Sequence, residues 1–204
     1  MKALYLSIFV LLAAVSATAQ IRPVESLPIA VNYSKTIHLI FPSAVKYSQA
    51  VTDFVAVDNP ENVPHILRIK ANSKSFSKQT TVSVATEGGF FYSFNVSYAD
   101  SLEQTNYFLP DMRSIAPDTV FINEVSQTHL IAPEKVIYID YGDTCINVSK
   151  AENTENIIRM IARSGRVQQF PKQTNVSFAT ESGRFFTFNV DYREKPEAFV
   201  YEVG

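Results

Sequence analysis

A long internal repeat constrains this chain more than any other feature of its sequence. The segment KQTTVSVATEGGFFYSFNVSY at 78–98 returns as KQTNVSFATESGRFFTFNVDY at 172–192, and 14 of the 21 positions are identical. Upstream the match continues at a spacing three residues shorter, so that HLI at 38–40 corresponds to HLI at 129–131. The extra residues of the second copy precede the repeated segment, where a surface loop tolerates insertion. The sequence therefore predicts two related units.

The repeat also predicts the boundaries of these units. We expect a signal peptide at 1–19, a first β domain at 20–100, a linker at 101–119 and a second β domain at 120–204. The linker contains two prolines and scattered polar residues. Units this small lie near the lower size limit for a stable single core, so docking against each other would stabilise both.

Composition and periodicity favour strands over helices. The chain has 15 Phe and 10 Tyr, and Val, Ile and Thr recur in short runs, which suits pleated and half-buried surfaces. The segment 152–165 taken alone could form a helix. Its counterpart in the first unit carries Pro64, which would cost a helix interior about 3 kcal/mol. The predicted fold class is therefore all-β, as two tandem small β-sandwich-like domains related by internal duplication.

The repeated segment itself is predicted to be a β-hairpin. Phe94 and Val96 alternate on the core face of its second strand, as Phe188 and Val190 do in the second copy. Each turn contains a glycine, Gly89 or Gly183, where positive φ is required and glycine reaches it without a Cβ penalty.

The amino terminus predicts export. Lys2 is followed by an apolar run at 4–15 and by the small-x-small sequence Ala-Thr-Ala at 17–19, which is typical of a secretory signal peptide. The run is too short to span a bilayer, so we expect no transmembrane segment in the mature chain. Without Lys2, 17 basic residues face 20 acidic ones, which argues against direct nucleic-acid binding.

No group of residues predicts catalysis or a cofactor. The three histidines have no metal-ligand spacing, and the two in equivalent positions, His38 and His129, are predicted to be structural strand residues. The repeated acids Glu87 and Glu181 lie at turns of different units, with no reason to converge on one bond. The single cysteine, Cys145, is expected to be a small buried residue. The prediction is a protein that is not an enzyme and has no cofactor or metal.

Four residues are candidates for binding. Phe91 and Phe185 lie on the strand face opposite the core aromatics, where each is either an exposed apolar anchor or is covered by another sheet. Arg68 and Arg159 lie opposite the core face of their strands. Each either forms an ion pair across an interface or belongs to a solvated face.

The motifs of the second unit resemble those of the TraN proteins of conjugative transposons. That family shows a Thr-His start, an aromatic-x-Asp-x-Gly turn, a Glu-Asn-hydrophobic-x-Arg strand and a closing hairpin. The residues at these places are Thr128, His129, Pro133, Tyr138, Asp140, Gly142, Glu155, Asn156, Arg159, Thr174, Asn175, Gly183 and Tyr192. The first unit shares most of them. It has Gln49 and Val51 in place of the Asp and Gly, so we expect its turn to be remodelled.

The resemblance implies a function in assembly. TraN-like proteins are non-enzymatic periplasmic components of a conjugative, type IV secretion-like apparatus, similar to the subunits of its outer-membrane core ring. The partners implied are other envelope or secretion subunits, or further copies of the chain. The alternative is an exported β-sandwich module that binds a cell-surface or polysaccharide ligand, with Phe91 and Phe185 stacking on sugars.

Overall fold

The computed structural model describes residues 24–204, so the predicted signal peptide lies outside the described residues. Within this range the regular structure consists of sixteen β-strands and one 3₁₀ turn at Val167–Gln169. No helix in the described part is long and apolar enough to cross a membrane. The prediction of an all-β chain with two duplicated sandwiches is confirmed.

The first sandwich is built from two four-stranded sheets. The strands are β1 Ser26–Val31, β2 Ile37–Ile40, β3 Val45–Ala50, β4 Val55–Asp58, β5 Ile66–Ala71, β6 Thr80–Thr86, β7 Phe91–Tyr98 and β8 Asn106–Phe108. Sheet A has the strand order β1-β7-β6-β3, and sheet B has the order β4-β5-β2-β8. Two of the pairings, β1 with β7 and β2 with β8, are parallel, and the others are antiparallel.

The second sandwich repeats this topology strand for strand. The strands are β9 Asp118–Ile122, β10 Thr128–Ile131, β11 Val136–Tyr141, β12 Ile146–Lys150, β13 Ile157–Ala162, β14 Thr174–Thr180, β15 Phe185–Tyr192 and β16 Val200–Glu202. Sheet C has the order β9-β15-β14-β11 and corresponds to sheet A, whereas sheet D, with the order β16-β10-β13-β12, corresponds to sheet B. The register shift between β3 and β6 also recurs between β11 and β14.

Each sandwich has its own apolar core between its two sheets. The segments that could have been helices are the strands β5 and β13, as Pro64 predicts, and their alternation decides which side chains face inward. In β5 the residues Leu67, Ile69 and Ala71 are buried while Arg68 points to the opposite face. The equivalent apolar residues of β13 are buried in the second core, so the duplication preserves the core as well as the topology.

The predicted linker at 101–119 needs correction, because part of it belongs to the first sandwich. Strand β8 lies within it and pairs in parallel with β2, and β16 does the same for β10 at the end of the second unit. The edge strand β8 of sheet B and the edge strand β16 of sheet D therefore both follow the repeated hairpin in the sequence. The three residues of β8 are too few to show any hydrophobic alternation, so the sequence gives no sign of this strand.

The two hairpin turns have the predicted conformation. Gly89 has φ of 78° and Gly183 has φ of 84°, and nothing lies within 4 Å of the position that a Cβ would occupy at either residue. The glycines are therefore required by backbone conformation and not by crowding.

Replacing Gly183 by Val should destabilise the chain by roughly 1–2 kcal/mol, because a β-branched residue is strained at positive φ. Gly183→Asn is the matched control and should lose less, since Asn tolerates this region better than other non-glycine residues. Thermal unfolding followed by circular dichroism measures both variants. An unchanged melting temperature for Gly183→Val would refute the assigned role of the turn glycine.

Candidate functional site

The two sandwiches contact each other through sheets that are not equivalent. The outer face of sheet B and the loop at 32–36, here called the docking face, pack on the outer face of sheet C and the turn that follows β11, here called the receiving face. An apolar cluster joins them, in which Ile40 and Ile66 pack with Tyr138 and Ala179 and with the half-buried Phe185. The contact is therefore head to tail, with unlike surfaces on the two units.

Burial of the repeated hairpin shows what this contact does. In β6 of the first sandwich, buried and half-buried residues alternate, as expected for a sheet with one face open. In β14, its near-identical counterpart, all seven residues are buried. One face of β14 covers the second core and the other is covered by the first sandwich.

An ion pair crosses the interface between Arg68 of β5 and Asp140 of β11. The Nη1 atom of Arg68 donates to Oδ1 of Asp140 at 2.6 Å, and the same guanidinium also pairs with Asp58 of its own sheet. Burial would raise the pKa of Asp140, but the neighbouring His38 and Arg68 outweigh it and hold that pKa below its ordinary value. The carboxylate is therefore kept ionised by partners from the other sandwich.

His38 of β2 completes this polar cluster. Its side chain is fully buried, and Nε2 lies 3.0 Å from the Tyr138 hydroxyl and 3.5 Å from Oδ2 of Asp140. Its ring also contacts the ring of Phe185, with centroids 5.0 Å apart. Burial, followed by the charge of Asp140, raises the pKa of Tyr138, which keeps this hydroxyl protonated. His38 is a strand residue as predicted, and its partners lie in the other unit.

Asn175 of β14 forms hydrogen bonds with the backbone of the docking face. Its side-chain Oδ1 accepts from the Thr36 amide at 2.9 Å, and its Nδ2 donates to the Thr36 carbonyl at 3.0 Å. Beside it, the Thr174 hydroxyl donates to the Ser34 carbonyl at 2.7 Å. All these groups are buried or partly buried, so a misaligned contact between the sandwiches would leave donors and acceptors unsatisfied.

Gly142 lets the two backbones come this close. A Cβ at this position would lie 2.5 Å from the Ser34 carbonyl oxygen and 2.8 Å from Cα of Lys35, both of which belong to the first sandwich. The equivalent residue, Val51, is 70% exposed. The two turns nevertheless make the same backbone hydrogen bond, from Val51 to Thr81 at 3.0 Å and from Gly142 to the equivalent strand at 2.9 Å. The predicted remodelling of the first-unit turn is therefore absent at this hydrogen bond. The glycine is needed for the close contact between the sandwiches.

Lys35 is a buried cation at the edge of the interface. Its side chain is 3% exposed, and Nζ donates to the Leu102 carbonyl at 2.9 Å, to Gln173 Oε1 at 2.6 Å and to Asn189 Oδ1 at 2.9 Å. Burial lowers the pKa of Lys35, and the charge of Asp191 opposes that change. Two of its three acceptors lie in the second sandwich, so this lysine also ties the units together.

The residues of this polar cluster join the two sandwiches. A histidine, a tyrosine, an aspartate and an arginine also occur together in catalytic centres, but here His38 is fully buried and Asp140 is only 9% exposed. A shallow pocket of about 220 Å³ opens at the edge of this cluster, where Arg68, Lys70 and Asp140 line it. Among residues 24–204 there is no group of three or more His, Cys, Asp or Glu that could hold a metal ion.

A polar groove of about 660 Å³ opens beside the junction. It lies between the loop at 32–36 of the first sandwich and the segment of the second sandwich that contains the inserted residues. Its charged lining residues are Lys35, Lys74, Arg166 and Lys172, which are basic, and Asp100 and Asp143, which are acidic.

The structure brings together only two of the four predicted interaction residues. Arg68 and Phe185 both lie in the interface, whereas Phe91 is 51% exposed on the outer face of sheet A. Arg159 lies on the outer face of sheet D, where its Nε donates to the Ser149 hydroxyl at 2.9 Å.

The remaining reactive residues are one buried cysteine and two exposed glutamates. Cys145 is buried, as expected, and burial raises the pKa of its thiol to about 12. Glu87 and Glu181 are exposed residues at separate hairpin turns. Glu87 pairs with Lys46 at 3.1 Å on the surface, where such a pair contributes little to stability.

Sequence reasoning missed the receiving face, although the repeat contains a signal for it. Three of its members differ between two copies that are otherwise closely similar. The pairs of equivalent residues are Gln49 and Asp140, Val51 and Gly142, and Thr81 and Asn175. Positions that diverge while the fold is preserved mark where the two units have different neighbours.

Replacing Gly142 by Ala should separate the sandwiches, because the new Cβ would overlap the Ser34 carbonyl oxygen. Val51→Ala is the matched control, since it changes the equivalent turn on an exposed surface. Small-angle X-ray scattering should show a larger maximum dimension for Gly142→Ala and the wild-type value for Val51→Ala. Identical scattering curves for Gly142→Ala and wild type would contradict the close-approach role.

Asp140→Asn should destabilise the chain by roughly 3 kcal/mol near neutral pH, because it removes the buried negative charge that pairs with Arg68 across the interface. The folded-state pKa of Asp140 is depressed, so its stabilisation is present above the ordinary carboxyl pKa of about 3.9 and is lost as pH falls through the lower folded value. The gap between wild type and variant should therefore shrink in acid.

Urea unfolding of the two proteins across the acid range measures this gap. Asp118→Asn changes an exposed aspartate in the second sandwich and should track wild type at every pH. A gap for Asp140→Asn that stays constant down to about pH 2 would show that the carboxylate charge is not what stabilises the interface.

Comparison with known proteins gives one family match. No curated protein is significantly similar to the chain. Similar solved structures include an endo-fucoidan hydrolase from glycoside hydrolase family 107, at 7% identity and a TM-score of 0.26, covering 83% of this chain and 28% of that one. Another is the Bacteroides ovatus mixed-linkage glucan utilization locus SGBP-B in complex with a mixed-linkage heptasaccharide, at 11% identity and 0.24, covering 83% and 44%. A third is cadmium-bound SporoSAG, at 10% identity and 0.25, covering 81% and 94%.

The chain spans less than half the length of the first two of these structures. The family model described as Domain of unknown function (DUF8473) matches twice, at 29–102 and at 120–196, which is once in each sandwich. The chain therefore belongs to the DUF8473 family and contains two copies of its domain.

Proposed function

We propose that this chain is a non-enzymatic structural component of an exported, periplasmic assembly, and that this assembly is a conjugative, type IV secretion-like transfer apparatus, as the resemblance to TraN proteins implies. Its partners are other envelope subunits. Its task is to hold neighbouring subunits in a fixed geometry.

The use of the motif residues carries this proposal. Tyr138, Asp140 and Gly142, which form the aromatic-x-Asp-x-Gly turn of the resemblance, all contact the neighbouring sandwich. Asn175, from the closing hairpin motif, binds the backbone of the same neighbour. These motif residues therefore attach one domain to another, as we expect of an assembly protein.

The buried polar contacts of the interface are also consistent with a structural role. Buried charges and side-chain amides that bind backbone restrict the geometry of an interface, because a shifted arrangement would break these pairs and leave more polar groups unsatisfied. A rigid pair of sandwiches presents its remaining outer faces at a fixed distance and angle. A subunit of a ring or a channel requires such a fixed geometry.

The alternative, a module that binds a polysaccharide through Phe91 and Phe185, has less support. Phe185 packs on the ring of His38 inside the interface and cannot stack on a sugar at the same time. Phe91 remains exposed, but the two aromatic residues do not form one platform. A carbohydrate site would have to be built around Phe91 alone.

Deletion and co-purification test the proposed function. Removing the gene from a conjugative donor should abolish or strongly reduce DNA transfer, and expression of the wild-type chain should restore it. The Val51→Ala chain should also restore transfer, whereas Gly142→Ala should not, because only the latter disturbs the interface. The native protein should co-purify with transfer subunits from the envelope fraction.

Three results would contradict the proposal. Intact DNA transfer after deletion would exclude a required structural role. Recovery of the native protein solely as a free monomer would exclude a place in an assembly. Specific binding on a glycan array, lost in Phe91→Ala, would favour the polysaccharide-binding alternative.

A further inference from the structure

The second sandwich carries its own copy of the docking face. His129, Ile131, Ile157 and Arg159 lie on the outer face of sheet D in the positions that His38, Ile40, Ile66 and Arg68 hold in sheet B. The pairing registers agree, since His129 faces Arg159 across β10 and β13 as His38 faces Arg68 across β2 and β5. Together with the loop at 123–127, this surface is here called the second docking face.

The loop at 32–36, which the receiving face binds, also has an equivalent in the second sandwich. Asn32 accepts the amides of Ser34 and Lys35 at 3.2 and 2.8 Å, and Asn123 accepts those of Val125 and Ser126 at 3.2 and 2.7 Å. The next residue in the first loop is Thr36, whose backbone binds Asn175. Gln127 holds that place in the second loop, so the same backbone shape is available to a second partner.

The second docking face has an apolar, partly exposed surface with an incompletely paired cation. Ile131 and Ile157 are each partly exposed, and Val200 on the neighbouring strand is 57% exposed. Arg68 pairs with two aspartates, whereas Arg159 binds the Ser149 hydroxyl and lies 3.9 Å from Glu152, which is 84% exposed. Among residues 24–204, Arg159 has no buried carboxylate partner corresponding to Asp140.

Another copy of this chain does not offer the matching surface. The outer face of sheet A is the equivalent of the receiving face and keeps Tyr47 and Phe91, but it has Gln49 in place of the carboxylate and Thr81 in place of the amide. It also has Val51 where the approach of the backbones permits only a glycine, because a Cβ there would meet backbone at 2.5 Å. Both charge and shape therefore exclude head-to-tail docking of identical copies in this arrangement.

We propose that the second docking face binds a β-sandwich unit of another subunit, one that presents a Tyr-x-Asp-x-Gly strand, in the arrangement by which sheet B holds sheet C. The partner's carboxylate pairs with Arg159, its tyrosine contacts His129, and its glycine admits the loop that ends at Gln127. The chain is thus one link in a series of unlike subunits, and its first sandwich differs from a receiving unit in a way that prevents copies from chaining. This inference rests on the proposed role in assembly and specifies the partner.

Grafting the receiving chemistry onto sheet A tests the proposal with this chain alone. The variant Gln49→Asp/Val51→Gly/Thr81→Asn gives the first sandwich the three missing residues at exposed or half-exposed positions. Sedimentation velocity should show that the triple variant self-associates at least tenfold more strongly than wild type. Adding Arg159→Glu should return it to the monomer, whereas adding Lys150→Glu, on the exposed strand beside Arg159, should not.

Three outcomes would overturn the proposal. A triple variant that keeps the circular dichroism spectrum of wild type and stays monomeric would show that the second docking face does not accept this chemistry. Association that survives Arg159→Glu would place the contact elsewhere. Wild-type self-association that Arg159→Glu abolishes would make a second copy the partner.

A double variant tests the same contact if the triple variant does not fold. If the triple variant does not fold, Gln49→Asp/Val51→Gly should still associate more strongly than wild type, and a folded but monomeric double variant would overturn the proposal. None of these measurements involves DNA transfer or co-purification from the envelope. The inference can therefore fail while the proposed function holds, and the reverse is also true.

Discussion

The ion pair between Arg68 and Asp140 is the interaction on which the arrangement of this chain depends. Each residue lies on the outer face of its sheet, where a solvated charge would be ordinary, and together they convert two exposed faces into one buried interface. Removing one partner of a buried pair typically costs about 3–5 kcal/mol, a large fraction of the roughly 5–15 kcal/mol net stability of a domain. His38, Tyr138 and Asn175 add hydrogen bonds that only one relative position of the sandwiches satisfies.

Duplication explains how a chain acquires such an interface. Two copies of one sandwich have the same two outer faces, so the docking face of one can meet the receiving face of the other only head to tail. That geometry leaves one face of each kind uncovered at the two ends. The uncovered docking face has His129 and Arg159, while the uncovered equivalent of the receiving face has neither the carboxylate nor the glycine. The end through which identical copies would polymerise therefore lacks the receiving chemistry, whereas the other end has the docking residues.

Much of the fold could be predicted from the sequence because the repeat acts as an internal alignment. Pro64 excluded a helix in both units, and Gly89 and Gly183 marked turns whose positive φ the structure has. The candidate site could be predicted only in part. Arg68 and Phe185 were identified as outward-facing, but alternation along a strand cannot show which surface meets which. Strand β8 was missed because three residues carry no periodicity, and Gly142 was first explained by its turn because its real constraint lies 107 residues away, at Lys35.

We expect the two sandwiches to form a single rigid body held by this buried polar interface. Residual dipolar couplings of backbone amides in the full chain, measured in a weakly aligning medium, test this rigidity. One alignment tensor should fit the couplings of both sandwiches together in their docked orientation. Two tensors that differ in magnitude or orientation would show that the sandwiches move independently and would contradict it.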